Sequence, residues 1–168
     1  HSYADAALNT GGAVIDVTGM RRILAWDPTH GILRVEPGVT LHDVVRLTLP
    51  DGWWLPVVPS TALATVGGCV AMNVTGRNAW KRGTFGEHVL ALDLLLASGE
   101  TINLAAESTP ALFRAVVGSA GLLGIITAVT LGLRRVTSGD VLVRTRPATC
   151  LSEVLTIFED EQPAEHVE

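Results

Sequence analysis

One stretch of the chain, residues 59–86, is built almost entirely of small residues, and it constrains the fold more than any other part. Few long side chains occur before Arg77, and two glycines are adjacent at Gly67 and Gly68. Small residues let a backbone approach something large and flat or charged, and they leave N–H groups free to donate. A bare glycine pair is also typical of a tight turn before a buried helix. The full string is more specific, and it predicts a backbone that approaches a ligand.

The composition narrows the classes of protein. A length of 168 residues allows one domain, or one domain and the start of another. The net charge of −5 leaves no basic stripe for phosphates, so nucleic acid is not an expected partner. Cys69 and Cys150 have neither metal-site spacing nor a disulfide framework, and no run reaches the ~18 apolar residues of a membrane span. We therefore expect no metal, no membrane span and a cytoplasmic location.

The chain is less charged than a typical domain. Charged residues make up 17% of it, against a usual ~25%. Such a chain either packs against something absent here or surrounds an aromatic cofactor. It starts at His1 without a methionine, and its last segment looks unfinished. We expect a fragment that lacks its first strands and packs against missing parts of its own chain.

Hydrophobic periodicity predicts an α+β fold, in which single helices are interposed between strands. Strands are predicted over residues 13–17, 23–26, 32–36, 53–58, 89–97, 101–104, 125–133 and 141–146. Turn signals join 23–26 to 32–36 and 89–97 to 101–104 as hairpins. Helices are predicted over 41–49, 66–73, 111–117 and 151–158, the first three with Thr40, Thr65 and Thr109 as N-caps. The pattern changes near Gly139, which predicts a domain boundary there.

Residues 59–86 resemble the flavin-binding loop of the FAD-linked oxidases of the vanillyl-alcohol oxidase type. Within that family, the resemblance is greatest to the decaprenylphosphoryl-ribose oxidase and the sugar-lactone and alditol oxidase branches. The family pattern reads roughly P-G-T…T-V-G-G…H-G-K-N…G-S/T-F-G. The corresponding segments here are 59–61, 65–68, 75–78 and 83–86. The resemblance implies a FAD-binding module of two α+β subdomains over residues 1–138, with 139–168 opening a substrate domain.

The resemblance also implies a cofactor, a reaction and a set of contacts. FAD would take a hydride at N5 from a CH–OH group of a sugar, sugar lactone or alditol. Catalytic residues would come largely from the absent substrate domain, so they stay unassigned. We expect main-chain amides around Gly67 and Gly68 to point at the isoalloxazine ring. The residues at cofactor-contacting positions are His1, Ser2, Ser60, Thr65, Val66, Gly67, Gly68, Met72, Val74, Thr75, Gly124 and Ile126.

Several positions leave alternatives open. His1 either carries a covalent bond to the flavin or only neighbours the phosphates. Ser60 stands where the family usually has Gly, Thr75 where many members have His, and Arg77 where they have Lys. These departures put the identity of the substrate in doubt, more than flavin binding. Two other functions therefore compete with the oxidase: a truncated or degenerate module without catalysis, and a FAD-dependent reductase of the cell-wall precursor type.

Other residues favour structural interpretations. The glycines of residues 118–124 follow a predicted helix and precede a strand, the reverse of the order in a Rossmann loop. In the family this segment passes the adenine side of FAD, and Ile126 would contact it through its backbone. Trp53 and Trp54 are interpreted as core or domain-contact residues, and His88 as structural.

Overall fold

A computed structural model describes residues 8–160, except 142 and 144. Its strands are β1 Ile23–Asp27, β2 Ile32–Val35, β3 Trp53–Trp54, β4 Val89–Leu95, β5 Thr101–Ala105, β6 Ile125–Gly132 and β7 Arg134–Arg135. Its α-helices are α1 Leu41–Thr48, α2 Val66–Ala71, α3 Ala79–Arg82, α4 Pro110–Val116 and α5 Leu151–Asp160. Short 3₁₀ turns follow α1 at Leu49–Asp51 and precede β4 at Phe85–His88. This order confirms an α+β fold.

Five strands form an antiparallel sheet in the order β1-β2-β6-β4-β5. The two predicted hairpins, β1 with β2 and β4 with β5, are both present. The later strand β6 lies between them, where it pairs with β2 on one edge and with β4 on the other. The sequence predicts the hairpins because their partners are neighbours along the chain, but the insertion of β6 depends on contacts between distant residues.

One apolar cluster joins the sheet to the helices α1, α2 and α4. Leu33, Val129 and Leu131 contribute to it from the sheet, and Val44 and Val70 from α1 and α2. Each of these side chains is almost completely buried. Burying such a side chain stabilises a fold by about 1.5–3 kcal/mol, so this cluster keeps α2 in place against the sheet.

Two of the three predicted helix caps are confirmed. Thr40 and Asp43 form a reciprocal capping box at the start of α1, and the Thr65 side chain accepts the N–H of Gly68 at the start of α2. Thr109 makes no cap hydrogen bond to α4. Its hydroxyl instead exchanges hydrogen bonds with the N–H and carbonyl of Ala105, both at 3.0 Å. That cap prediction is wrong, because the Thr109 hydroxyl bonds to the end of β5 and not to the helix.

Three predicted strands are wrong in whole or in part. Residues 13–17 are in no strand, since no described segment pairs with them. Of residues 53–58 only β3 is a strand. Pro56 and Pro59 lack the N–H groups that a strand ladder needs, although Leu55 and Val57 are still buried. The described residues of 141–146 are also outside any strand.

Candidate cofactor site

A pocket of about 420 Å³ lies between two short segments of the small-residue stretch. Pro59 and Ser60 form one wall, and the other comes from residues 72–77. Four of the predicted cofactor residues therefore share one cavity. The pocket is lined by Pro59, Ser60, Met72, Val74, Thr75 and Arg77.

Asn78 and Gly76 bring the two segments of the pocket close together. The side chain of Asn78 is buried, and its Nδ2 donates to the carbonyl of Pro56 at 2.9 Å. A Cβ on Gly76 would lie only 2.8 Å from the carbonyl oxygen of Val58. Because Gly76 has no side chain, the second wall can approach the segment that leads into Pro59.

The N-terminus of α2 does not present free amides, so the expected orientation of the Gly67 and Gly68 N–H groups is wrong. Gly67 donates to the carbonyl of Pro37 at 2.8 Å, and Gly68 donates to the Thr65 hydroxyl at 3.3 Å. The N–H of Val66, the residue before them, donates to the carbonyl of Val39 at 2.8 Å. The physical reason is that the segment 37–39 packs across the start of α2 and supplies acceptors that water or a ligand would otherwise supply.

Packing within the protein also explains which residue types occur at the start of α2. A Cβ on Gly67 would lie 2.5 Å from the Cβ of Pro37, so no larger residue fits there. Val66 is fully buried in the core, and Thr65 caps α2. None of the four residues from Thr65 to Gly68 lines the pocket. Their contact with FAD stays a prediction.

The second glycine-rich segment lies against the other end of α2. Gly118 donates to the carbonyl of Val70 at 3.0 Å, and Ala120 donates to that of Ala71 at 2.8 Å. Both bonds go to carbonyls in the last turn of the helix, where partners within the helix run out. The Val70 carbonyl also accepts the N–H of Asn73 at 3.1 Å. The two segments that the sequence assigns to one cofactor are therefore in direct contact.

The backbone around Ile126 has one open edge. Ile126 pairs with Leu94 of β4, but β2 reaches only as far as Val129 on the opposite edge of β6. Within the described residues, no strand pairs with that edge over residues 125–128. The Ile126 side chain is buried in the core, so its backbone is the part left for a ligand. Its contact with FAD stays a prediction. Gly124 precedes this edge and packs against the carbonyl of Leu95.

The remaining predicted residues divide into three groups. His1 and Ser2 lie outside the described residues. Ser60 is not among the described non-glycine residues with positive φ, so its turn avoids the strain that a missing glycine could cause. His88 is structural, as expected, because its Nε2 lies 2.8 Å from the carbonyl of Arg82. Trp53 is structural too, since its Nε1 donates to Pro28 and Arg135 lies over its ring.

The charges at the site come from one residue. Arg77 is the only ionisable residue among the six that line the pocket. Cys69 lies behind the pocket in α2, where burial raises the pKa of its thiol to about 12. That thiol is therefore neutral at physiological pH and is not a nucleophile. Among the described residues that line the pocket there is no Asp, Glu, His or Lys.

Sequence reasoning missed the backbone conformation of Asn73, which lies between two residues that line the pocket. Asn73 has a φ of +43°, and its Oδ1 accepts the N–H of Gly86 at 2.9 Å. Asparagine is enriched among the non-glycine residues that adopt positive φ, so its position at the end of a short glycine-rich helix was an available signal.

A family model described as FAD binding domain matches residues 1–105, which include the whole pocket. The chain belongs to this FAD-binding family. The resemblance to FAD-linked oxidases of the vanillyl-alcohol oxidase type is thereby confirmed, and the cofactor of the family is FAD.

Two curated relatives of this FAD-binding domain are oxidoreductases by name. Decaprenylphosphoryl-beta-D-ribose oxidase of Mycolicibacterium smegmatis is 42% identical over 135 residues, which cover 77% of this chain and 28% of the relative. D-lactate dehydrogenase of Anaerostipes hadrus is 36% identical over 126 residues, which cover 72% of this chain and 26% of the relative. The chain thus spans about a quarter of the length of these relatives.

The fold is also similar to that of a solved structure. An alkyldihydroxyacetonephosphate synthase superposes with a TM-score of 0.61 and 22% identity, over 69% of this chain and 22% of the other. At this identity the likeness shows the fold alone. None of the helices in the described part of the FAD-binding domain has the length and apolar character needed to cross a bilayer.

Proposed function

We propose that this chain is the FAD-holding part of an oxidoreductase that oxidises a CH–OH group of a sugar, sugar lactone or alditol. The observation that carries the proposal is the shared pocket of Ser60, Met72, Val74 and Thr75, four residues at cofactor-contacting positions of the family. The relatives named above support the reaction class, because ribose and lactate both carry a CH–OH group.

The pocket fits part of a flavin. Its volume of about 420 Å³ is within the ~300–1,000 Å³ of small-molecule sites. Met72 and Val74 provide apolar surface, while Ser60 and Thr75 provide hydroxyl groups. When bound there, FAD would supply the hydride acceptor. The guanidinium of Arg77 would favour the ligand atoms that carry negative charge.

The rest of the cofactor would lie along other backbone groups. We assign the open edge at Ile126, together with Gly124, to the adenine side. His1 and Ser2 keep their predicted place at the cofactor, where His1 would either carry a covalent bond to the flavin or neighbour the phosphates. Residues 1–138 would then form the FAD-binding domain, and 139–168 would open a substrate domain that supplies the acid or base absent from this pocket. The cytoplasmic location stays a prediction.

The cofactor assignment is tested on the complete protein that contains these residues. Titration of the apoprotein with FAD should quench flavin fluorescence at a stoichiometry of one. Ser60→Trp should fill the pocket and weaken FAD binding at least tenfold. Ser98→Trp is the matched control, because Ser98 is an exposed serine in the turn between β4 and β5, and it should leave affinity unchanged. A well-folded, colourless protein that binds no FAD would contradict the proposal.

The substrate assignment needs a separate experiment. The loaded protein is mixed anaerobically with an alditol, a sugar lactone, D-lactate or NADPH, and the visible flavin absorbance is followed. Bleaching by the alditol or the lactone is the expected result. Bleaching by D-lactate alone would move the substrate class to 2-hydroxy acids. Bleaching by NADPH alone would favour the reductase alternative and overturn the sugar assignment.

A further inference from the structure

Asn73 lies between two residues of the pocket wall but is not part of that wall. Met72 and Val74 both line the pocket, whereas Asn73 contributes to a different cavity on the side of Gly86. The chain reverses at Asn73 because its φ is +43°, in the left-handed region that L-residues rarely adopt. This reversal ends α2 and turns its two neighbours to one side.

Two hydrogen bonds hold the reversal from the segment that follows α3. Gly86 donates its N–H to Oδ1 of Asn73 at 2.9 Å, and Phe85 donates its N–H to the carbonyl of Val74 at 2.9 Å. Both donors belong to the 3₁₀ turn that packs against the core through the buried ring of Phe85. The wall is thus attached to a rigid part of the fold.

The second glycine-rich segment meets the same residue. A Cβ on Gly118 would lie 3.3 Å from the Cβ of Asn73, so the two backbones approach closely here. Gly118 and Ala120 also donate to the last carbonyls of α2, one turn before Asn73. Asn73 is therefore the point where α2, the turn at Gly86 and the 118–124 segment converge.

We propose that Asn73 is a positioning residue of the FAD site, which holds Met72 and Val74 in the pocket wall through its left-handed backbone and its bond to Gly86. This inference rests on the function proposed above. It assigns to Asn73 two separable contributions, one from its conformation and one from its side-chain oxygen.

Three substitutions in the complete protein separate these contributions. Asn73→Asp keeps an acceptor oxygen and a tolerance for positive φ. Asn73→Gly keeps the conformation but loses the acceptor, and it preserves the backbone if other variants fail to fold. Asn73→Ala loses both. Each variant is titrated with FAD, and the visible absorption spectrum and fluorescence of the bound flavin are recorded beside the thermal unfolding curve.

We expect FAD affinity close to wild type for Asn73→Asp, a loss of roughly fivefold to tenfold for Asn73→Gly and a larger loss for Asn73→Ala. The flavin spectrum should change in the Gly and Ala variants, because Met72 and Val74 would shift against the ring. Melting temperature alone does not test the inference.

Two results would overturn it. Asn73→Ala with wild-type affinity and an unchanged flavin spectrum would show that the pocket does not depend on Asn73, whatever its stability. Equal losses in Asn73→Asp and Asn73→Gly would show that the acceptor oxygen plays no part. A wild-type protein that binds no FAD would instead contradict the proposed function, so the two failures are distinguishable.

Discussion

Gly67 and Gly118 belong to the two glycine-rich segments, but the structure needs glycine at each for a different reason. Gly67 is buried within a regular helix, and its missing side chain makes room for Pro37. Gly118 is exposed and has a φ of +84°, so its missing side chain permits the backbone conformation. The comparison shows that glycine at a cofactor-like motif can serve protein packing as readily as ligand contact.

The largest expected effect comes from filling the space at Gly67. Gly67→Ala should lower the free energy of unfolding by about 3 kcal/mol, because the new Cβ would meet backbone and ring atoms of Pro37 that cannot move independently. Urea denaturation measures the loss. Gly68→Ala is the matched control, since its Cβ would meet only the Thr65 hydroxyl, at 3.1 Å, and alanine favours the helix. Equal stability of the two variants would refute the packing explanation.

A smaller loss of stability is expected at Gly118, where glycine is needed for the backbone conformation. Gly118→Ala should cost about 2 kcal/mol, because an L-residue at this φ is strained and its Cβ would approach Asn73. Ala120→Gly provides the opposite test in the same segment, because Ala120 already has a φ of +54°. That change should stabilise the protein by roughly 0.5 kcal/mol, after the entropy of the unfolded chain is counted. Destabilisation by both substitutions would contradict the conformational explanation.

The third prediction uses pH to test how well the first segment is buried. Burial raises the pKa of the Cys69 thiol from 9.0 to about 12. Between these values the unfolded chain releases the proton while the folded protein keeps it, so stability falls as pH rises. The expected loss is up to about 1.4 kcal/mol per pH unit.

Substitution of the two cysteines isolates this effect. Cys69→Ala should remove the part of the loss of stability at alkaline pH that Cys69 causes. The free energy of unfolding in urea is measured from pH 8 to pH 10, roughly one pH unit to each side of the ordinary pKa of a thiol. Cys150 is the control, because it is exposed and a hydrogen bond from Ser152 lowers the pKa of its thiol. Cys150→Ala should leave the fall with pH in place. An unaltered slope in Cys69→Ala would mean that water reaches α2.

The sequence alone determined much of this protein. Local patterns predicted both hairpins, the helices α1, α2, α4 and α5, the caps at Thr40 and Thr65, and the family with its FAD cofactor. They did not predict α3. These features depend on residues close together in the chain, whose spacing and turn chemistry can be recognised without coordinates. The four residues that share the pocket were also recognised, because they belong to one continuous motif.

The tertiary structure decided which of these groups is available to a ligand. From the sequence, the amides of Gly67 and Gly68 were expected to be free. In the structure, the Pro37 carbonyl and the Thr65 hydroxyl accept hydrogen bonds from them. The contacts of Asn73 with Gly86 and Gly118 likewise exist only in the folded protein. A sequence shows which donors and acceptors exist. Whether a donor is already satisfied depends on acceptors from distant segments, and only folding brings those segments together.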